Sequence, residues 1–110
     1  MATQGFFDEH WTDENDNPVG GVSTGKGFTI SWQNGPLGRI GTDKRSEPNG
    51  AFVEDIIGAV KGRFKFYQEG EFACEENAQC IELLTQIEEI CQVRTQRRIA
   101  AQTEGTHEGN

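Results

Sequence analysis

The stretch Phe72 to Ala101, FACEENAQCIELLTQIEEICQVRTQRRIAA, decides how this chain is read. Its apolar positions Ala73, Cys80, Leu84, Ile87 and Cys91 fall on one line of three- and four-residue steps, the spacing of a helix-packing seam. One long helix is therefore expected over residues 72–101. The same steps place Asn77, Arg94 and Arg98 on the seam, so it is apolar in the middle and polar at both ends. A helix rises about 1.5 Å per residue, which sets Asn77 and Arg94 roughly 25 Å apart. They cannot line one small pocket within a single straight helix. An antiparallel partner helix crossing near Gln86 or Ile87 brings Asn77 of one copy beside Arg94 and Arg98 of the other, twice, by two-fold symmetry. That geometry predicts two polar, cationic pockets flanking a dry centre.

Working outward, a first helix is expected to begin between Ser46 and Asn49. Ser46 could cap it with Pro48 in the first turn, or Asn49 could be the cap. Its apolar set is Phe52, Val53, Ile56, Ile57, Val60, Phe64 and Tyr67. Gly58 and Gly62 lie four apart on one face, where each costs about 1 kcal/mol of helix propensity relative to alanine. Close approach of another backbone would account for them. Gln68-Glu69-Gly70-Glu71 is a tight connection, so the two helices form a hairpin.

Before the helices, residues 18–47 are rich in glycine and turn formers. Phe28, Ile30 and Trp32 alternate with Thr29, Ser31 and Gln33, the pattern of a half-buried strand, and Asn34-Gly35-Pro36 marks a turn. Shorter strands are expected around Pro18–Ser23 and Leu37–Gly41. Residues 1–17 carry Asp8, Glu9, Asp13, Glu14 and Asp16 with no lysine or arginine, and read as a mostly solvated acidic arm whose Phe6, Phe7 and Trp11 could dock on the body. Residues 102–110 read as a polar, flexible tail. The fold class is thus α+β: a small N-terminal antiparallel β unit at 18–47, then a helical hairpin at 48–101 with a long last helix, assembled as antiparallel dimers.

Composition narrows the function. At 110 residues one domain is expected, and 34% hydrophobic residues with 14 glycines make a thin core, so burial in an oligomer fits. A formal net charge of −8 disfavours duplex DNA, which demands many phosphate contacts from a basic surface. It still permits a small anion captured by a local cation cluster. Met1 to His10 lacks a basic region followed by an apolar run, so no signal peptide is expected, and no apolar stretch is long enough to span a bilayer. Three cysteines, two of them on the seam, favour reduced thiols in a cytosol.

The motifs that suggest chemistry fail their context. Gly20 to Lys26 matches the first seven positions of a phosphate-binding P-loop, but Gly27 stands where a magnesium-binding hydroxyl is required and a strand follows where a helix is needed. Cys74, Cys80 and Cys91 lack paired-ligand spacing, and His10 and His107 sit near opposite ends of the chain, which disfavours zinc. No Ser/His/Asp or Cys/His set is visible, so no enzyme activity, cofactor or metal is expected. Arg94, Arg97 and Arg98 sit near a helix C-terminus, where cations also favour the macrodipole. Seam phase separates them: Arg94 and Arg98 face the partner and Arg97 turns away. Arginine is suited to bidentate phosphate contact. Asn77 could simply set helix register, and Tyr67 could be core or could stack on a base.

At these residues the chain resembles a phage protein family, the Thoeris anti-defence sponges of the first type. The resemblance covers most of residues 28–107. It is carried by Gly27-Phe28-Thr29-Ile30-Ser31-Trp32-Gln33-Asn34-Gly35-Pro36-Leu37-Gly38, by Asn49-Gly50-Ala51-Phe52-Val53-Glu54-Asp55, and by the second helix into Glu104-Gly105-Thr106-His107. The resemblance implies dimers or hexamers acting in the host bacterial cytoplasm, which bind cyclic ADP-ribose isomers made by TIR-domain proteins and hold them uncleaved. It implies a pocket of Tyr67, Asn77, Arg94 and Arg98. Tyr67, where the family commonly has phenylalanine, would stack on adenine; Asn77 would hydrogen-bond the ligand; the arginines would bind the pyrophosphate. Some members also bind cyclic di- or trinucleotides of the CBASS defence, and the candidates for such a second site are Arg39, Lys44 and Arg45. The alternatives are an enzyme that degrades a nucleotide immune signal and a helical-hairpin module that binds a host protein.

Overall fold

A computed structural model describes residues 5–108 of the chain. Strands β1 (Phe6–Thr12), β2 (Pro18–Gly25) and β3 (Phe28–Trp32) form an antiparallel sheet in that order, followed by helices α1 (Val53–Gln68) and α2 (Glu75–Ala100). The expected α+β class, a β unit ahead of a hairpin with a long last helix, is what the chain adopts. No helix among the described residues is long and apolar enough to cross a membrane.

Two boundaries of the β unit move. The segment read as an irregular acidic arm contains β1, which pairs along β2 from Phe6–Gly25 to Trp11–Gly20. All seven β1 residues are exposed, because it is an edge strand, and charge on an edge strand is compatible with pairing on its other side. Asp13 turns the hairpin: its carboxylate accepts from the backbone N–H groups of Asn15 at 2.8 Å and Asn17 at 3.0 Å. Those two donors, Asn17 first, hold its carboxyl below the usual carboxylate range. The outermost positions of the expected arm and tail, 1–4 and 109–110, lie outside the described residues. The second change is at Leu37–Gly41, which is not a strand. Gly38 and Gly41 sit at φ of +102° and +80°, a backbone that cannot continue a ladder. The P-loop look-alike lies in β2 and the turn after it, as its strand-like context required.

The first helix starts later than expected. Asn49 does not cap it; its side chain instead holds the backbone of Asn34 through a 2.8 Å and a 3.0 Å hydrogen bond. Ala51 then pairs with β3, donating to Ser31 and accepting from Gln33. Gly50 is required there, since a Cβ would lie 2.7 Å from the Ser31 carbonyl oxygen. Only after this extra pairing does the chain turn helical, with the Asp55 carboxylate accepting from Phe52 N–H at 3.0 Å. At the far end, the Gln68 side chain bridges to the backbone of Cys74 in both directions and closes the hairpin.

Strands touch only strands, and the helices touch only each other, among the described residues. Consequently there is almost no core among the described residues: Leu37 is the buried apolar side chain, and no side chain there is fully buried. The seam must be reassigned in part. Cys80, Ile81, Leu84, Thr85, Glu88 and Cys91 are the half-buried residues along the middle of α2. They share the face of Glu88, whose carboxylate takes Lys61 of α1 at 2.7 Å. A hairpin helix buries its best stripe against its own neighbour first, so most of the seam is used inside the chain. The stripe left in solvent is Leu83, Ile87, Ile90 and Val93, at 58, 41, 69 and 68% exposure. Among the described residues no other backbone approaches Gly62, and a Cβ on Gly58 would meet the Glu88 carboxylate at 3.9 Å.

Candidate ligand-binding site

The four residues singled out in the sequence fall into two clefts at opposite ends of α2. Tyr67, from the last turn of α1, and Asn77, from the first turn of α2, line one cleft of about 340 Å3 with Phe72 and Cys74. The tight hairpin connection brings them together: Phe72 meets the Tyr67 ring edge-on at 6.4 Å between centroids. The Asn77 amide nitrogen donates to the Phe72 carbonyl at 3.0 Å, which fixes the amide and leaves its oxygen for a donor from outside. Behind the tyrosine, the Arg63 guanidinium lies over both Phe66 and Tyr67.

Arg94 and Arg98 line the second cleft, of about 510 Å3, together with Arg45, Leu37, Phe52 and Glu104. Arg94 has no ion pair or hydrogen bond to a side chain among the described residues, so its guanidinium is available to a ligand. Arg98 is differently placed. Its Nη1 donates to the Glu108 carbonyl at 2.9 Å, and its Nη2 to the carbonyls of Thr103 at 2.8 Å and Thr106 at 2.9 Å. The tail read as flexible therefore forms a series of turns gathered around Arg98.

Two further arginines hold the same segment. Arg45 makes a bidentate pair with Glu104 at 2.5 and 3.0 Å, the geometry that a phosphate would also satisfy. That contact, with its charge, holds the Glu104 carboxyl below the usual range and raises Arg45. Arg39 pairs with Glu108 at 2.8 Å and donates to the Gln102 carbonyl. The Gly105 carbonyl completes the join, accepting from Gly38 N–H at 2.7 Å. Of the residues named for a second nucleotide site, Arg45 thus sits in the cleft of Arg94 and Arg98. Arg39 borders a neighbouring cleft of about 440 Å3 with Ile40, Thr42, Ile99, Gln102 and Glu104, and Lys44 lines neither.

The structure does not bring Tyr67 and Asn77 to Arg94 and Arg98 within one chain. It joins each pair separately, at a separation along α2 of about 25 Å. Glu104 and Arg63 were not singled out in the sequence. Arg63 had a local signal, four residues before Tyr67 on the same helix, whereas Glu104 depends on a contact across 59 residues. No group of three His, Cys, Asp or Glu residues able to hold a metal is present among the described residues. Cys74 is exposed, and Cys80 and Cys91 are half-buried.

No family model matches the chain. Over 84 residues it is 37% identical to Thoeris anti-defense 1 of Bacillus phage SBSphiJ7. The chain is a homologue of that anti-defence protein. The match takes in 76% of this chain and 55% of the phage protein, so the chain spans about half the length of the relative it matches. The resemblance read from the sequence is borne out by this kinship.

Proposed function

We propose that this protein is a non-catalytic anti-defence sponge. It sequesters a cyclic ADP-ribose-type signal made by TIR proteins, in the cytoplasm of the bacterial host. The observation that carries the proposal is the division of the site: an aromatic and amide half at one end of α2, a cationic half at the other, and an exposed apolar stripe between them. A second copy laid head-to-tail along that stripe places each half against the complement of its mate. The ligand class has matching parts, a base for Tyr67 and a pyrophosphate for Arg94 and Arg98.

The exposed surface supports such a partner. The chain presents 8279 Å2 to solvent. A compact monomer of this mass presents about 6,100 Å2. The excess, about 2,200 Å2, is of the size that obligate subunit interfaces remove. The radius of gyration, 16.7 Å, likewise exceeds the roughly 13 Å of a compact domain of this length. Homodimers, or hexamers built from them, are the assemblies that this proposal requires. Sequestration demands tight capture, and a nanomolar dissociation constant corresponds to about −12 kcal/mol.

The test is to incubate the protein with a cyclic ADP-ribose isomer and then denature it by heat. Release of intact ligand in proportion to protein supports sequestration. A cleaved product would show instead an enzyme that degrades the signal, and absence of capture would return the chain to the class of protein-binding modules.

A further inference from the structure

We infer that Arg63 is a positioning residue of the aromatic half-site, holding the Tyr67 ring in the pose in which it receives a base. This rests on the sponge reading above and deepens it. Arg63 lies on the solvent side of α1, one helical turn before Tyr67. Its guanidinium carbon sits 5.2 Å from the Phe66 ring centre and 5.0 Å from that of Tyr67. Its Nε donates to the Tyr67 hydroxyl at 3.2 Å. No carboxylate pairs with it among the described residues, although the chain carries 18 acidic residues.

The arrangement fixes the ring from two directions. The cation covers one part of the π-face and so restricts the tilt of the ring plane, and the hydroxyl bond restrains the swing of the whole side chain about Cα–Cβ. Phe72 meets the ring edge-on, at an interplanar angle of 75°. Tyr67 also lines the cleft with Cys74 and Asn77. An exposed aromatic that must order itself on binding loses affinity to that ordering; one already held does not. The hydroxyl has a purpose here that phenylalanine cannot serve, since it is the acceptor through which Arg63 orients the ring.

The experiment measures affinity, by calorimetry, for a cyclic ADP-ribose isomer purified from a bacterial TIR-domain enzyme. It compares the unaltered protein with Arg63→Ala, Arg63→Lys, Tyr67→Phe and Tyr67→Ala, and with Arg63→Ala combined with Tyr67→Ala. Arg63→Ala is expected to weaken binding about tenfold. Arg63→Lys keeps the charge and most of the stem but loses the planar stack and the Nε donor, so it should weaken binding several-fold. Tyr67→Phe should cost less than either. In the Tyr67→Ala background, removing Arg63 should cost nothing further, because there is no ring left to hold. A full cost in that background would mean that Arg63 touches the ligand itself and would overturn the inference. So would unchanged binding by Arg63→Ala and Arg63→Lys. If the unaltered protein binds none of the isomers, the sponge reading fails and takes the inference with it; if it binds and only the Arg63 variants are silent, the inference alone fails. Melting temperature and oligomeric mass should stay the same in the Arg63 variants, which separates this role from a structural one.

Discussion

Ile90→Glu is the substitution that bears hardest on the head-to-tail pair. In the single chain Ile90 is 69% exposed and touches nothing that its loss would disturb, so the folded subunit should change in stability by no more than about 0.5 kcal/mol. In the pair, full burial of an isoleucine is worth about 1.5–3 kcal/mol, and the exposed share of Ile90 makes that about 1–2 kcal/mol. Two-fold symmetry counts it twice, giving about 2–4 kcal/mol before any charge is considered. Each introduced carboxylate would meet the apolar stripe of the other copy near Leu83, which adds a desolvation cost on top. The dimer dissociation constant should therefore rise by at least about 30-fold. Sedimentation velocity or native mass spectrometry at micromolar concentration would show monomers, circular dichroism would show unchanged helix, and ligand capture would fall in step with dimer loss. Retention of ligand affinity by a clean Ile90→Glu monomer would refute the reasoning, because one chain would then hold a complete site.

Arg94→Ala should lower ligand affinity by tenfold or more and leave the melting temperature unchanged, since the Arg94 guanidinium makes no ion pair or hydrogen bond among the described residues. Arg98→Ala should do both kinds of damage: it removes three hydrogen bonds to tail carbonyls, worth about 1–3 kcal/mol together, and amide exchange at residues 103–108 should rise. The Arg45–Glu104 pair makes tail anchoring pH-dependent. Because Glu104 is depressed below the ordinary glutamate value of about 4.3, its contribution is complete above that pH and is lost as pH falls through the lower folded value. The pair is partly solvated, so no more than about 0.2–1 kcal/mol is at stake, and Glu104→Gln should abolish this acid-sensitive step in tail amide exchange. Cys74 shares the aromatic cleft, so a bound ligand should protect it from alkylation, read by intact-mass analysis; equal labelling with and without ligand would place the ligand elsewhere.

Whatever depended on neighbours along the chain could be read from the sequence. The alternation of Phe28, Ile30 and Trp32, the tight Gln68–Glu71 connection and the three-four periodicity after Phe72 each report a local geometry, and each matches the element that formed. Kinship with the anti-defence proteins was legible for the same reason, since it rests on contiguous motifs. Tertiary structure alone settled which stripe of α2 is spent on α1 and which remains exposed. The period of 3.6 residues spreads apolar side chains over adjacent faces, and it is the half-buried set around the Lys61–Glu88 contact that shows where α1 lies. It also decided that the acidic N-terminal stretch becomes an edge strand, and that Arg39, Arg45 and Arg98 gather the C-terminal turns. Arg39 and Arg45 make those contacts across 59 to 69 residues, and no local pattern encodes a bond between groups so far apart in the chain.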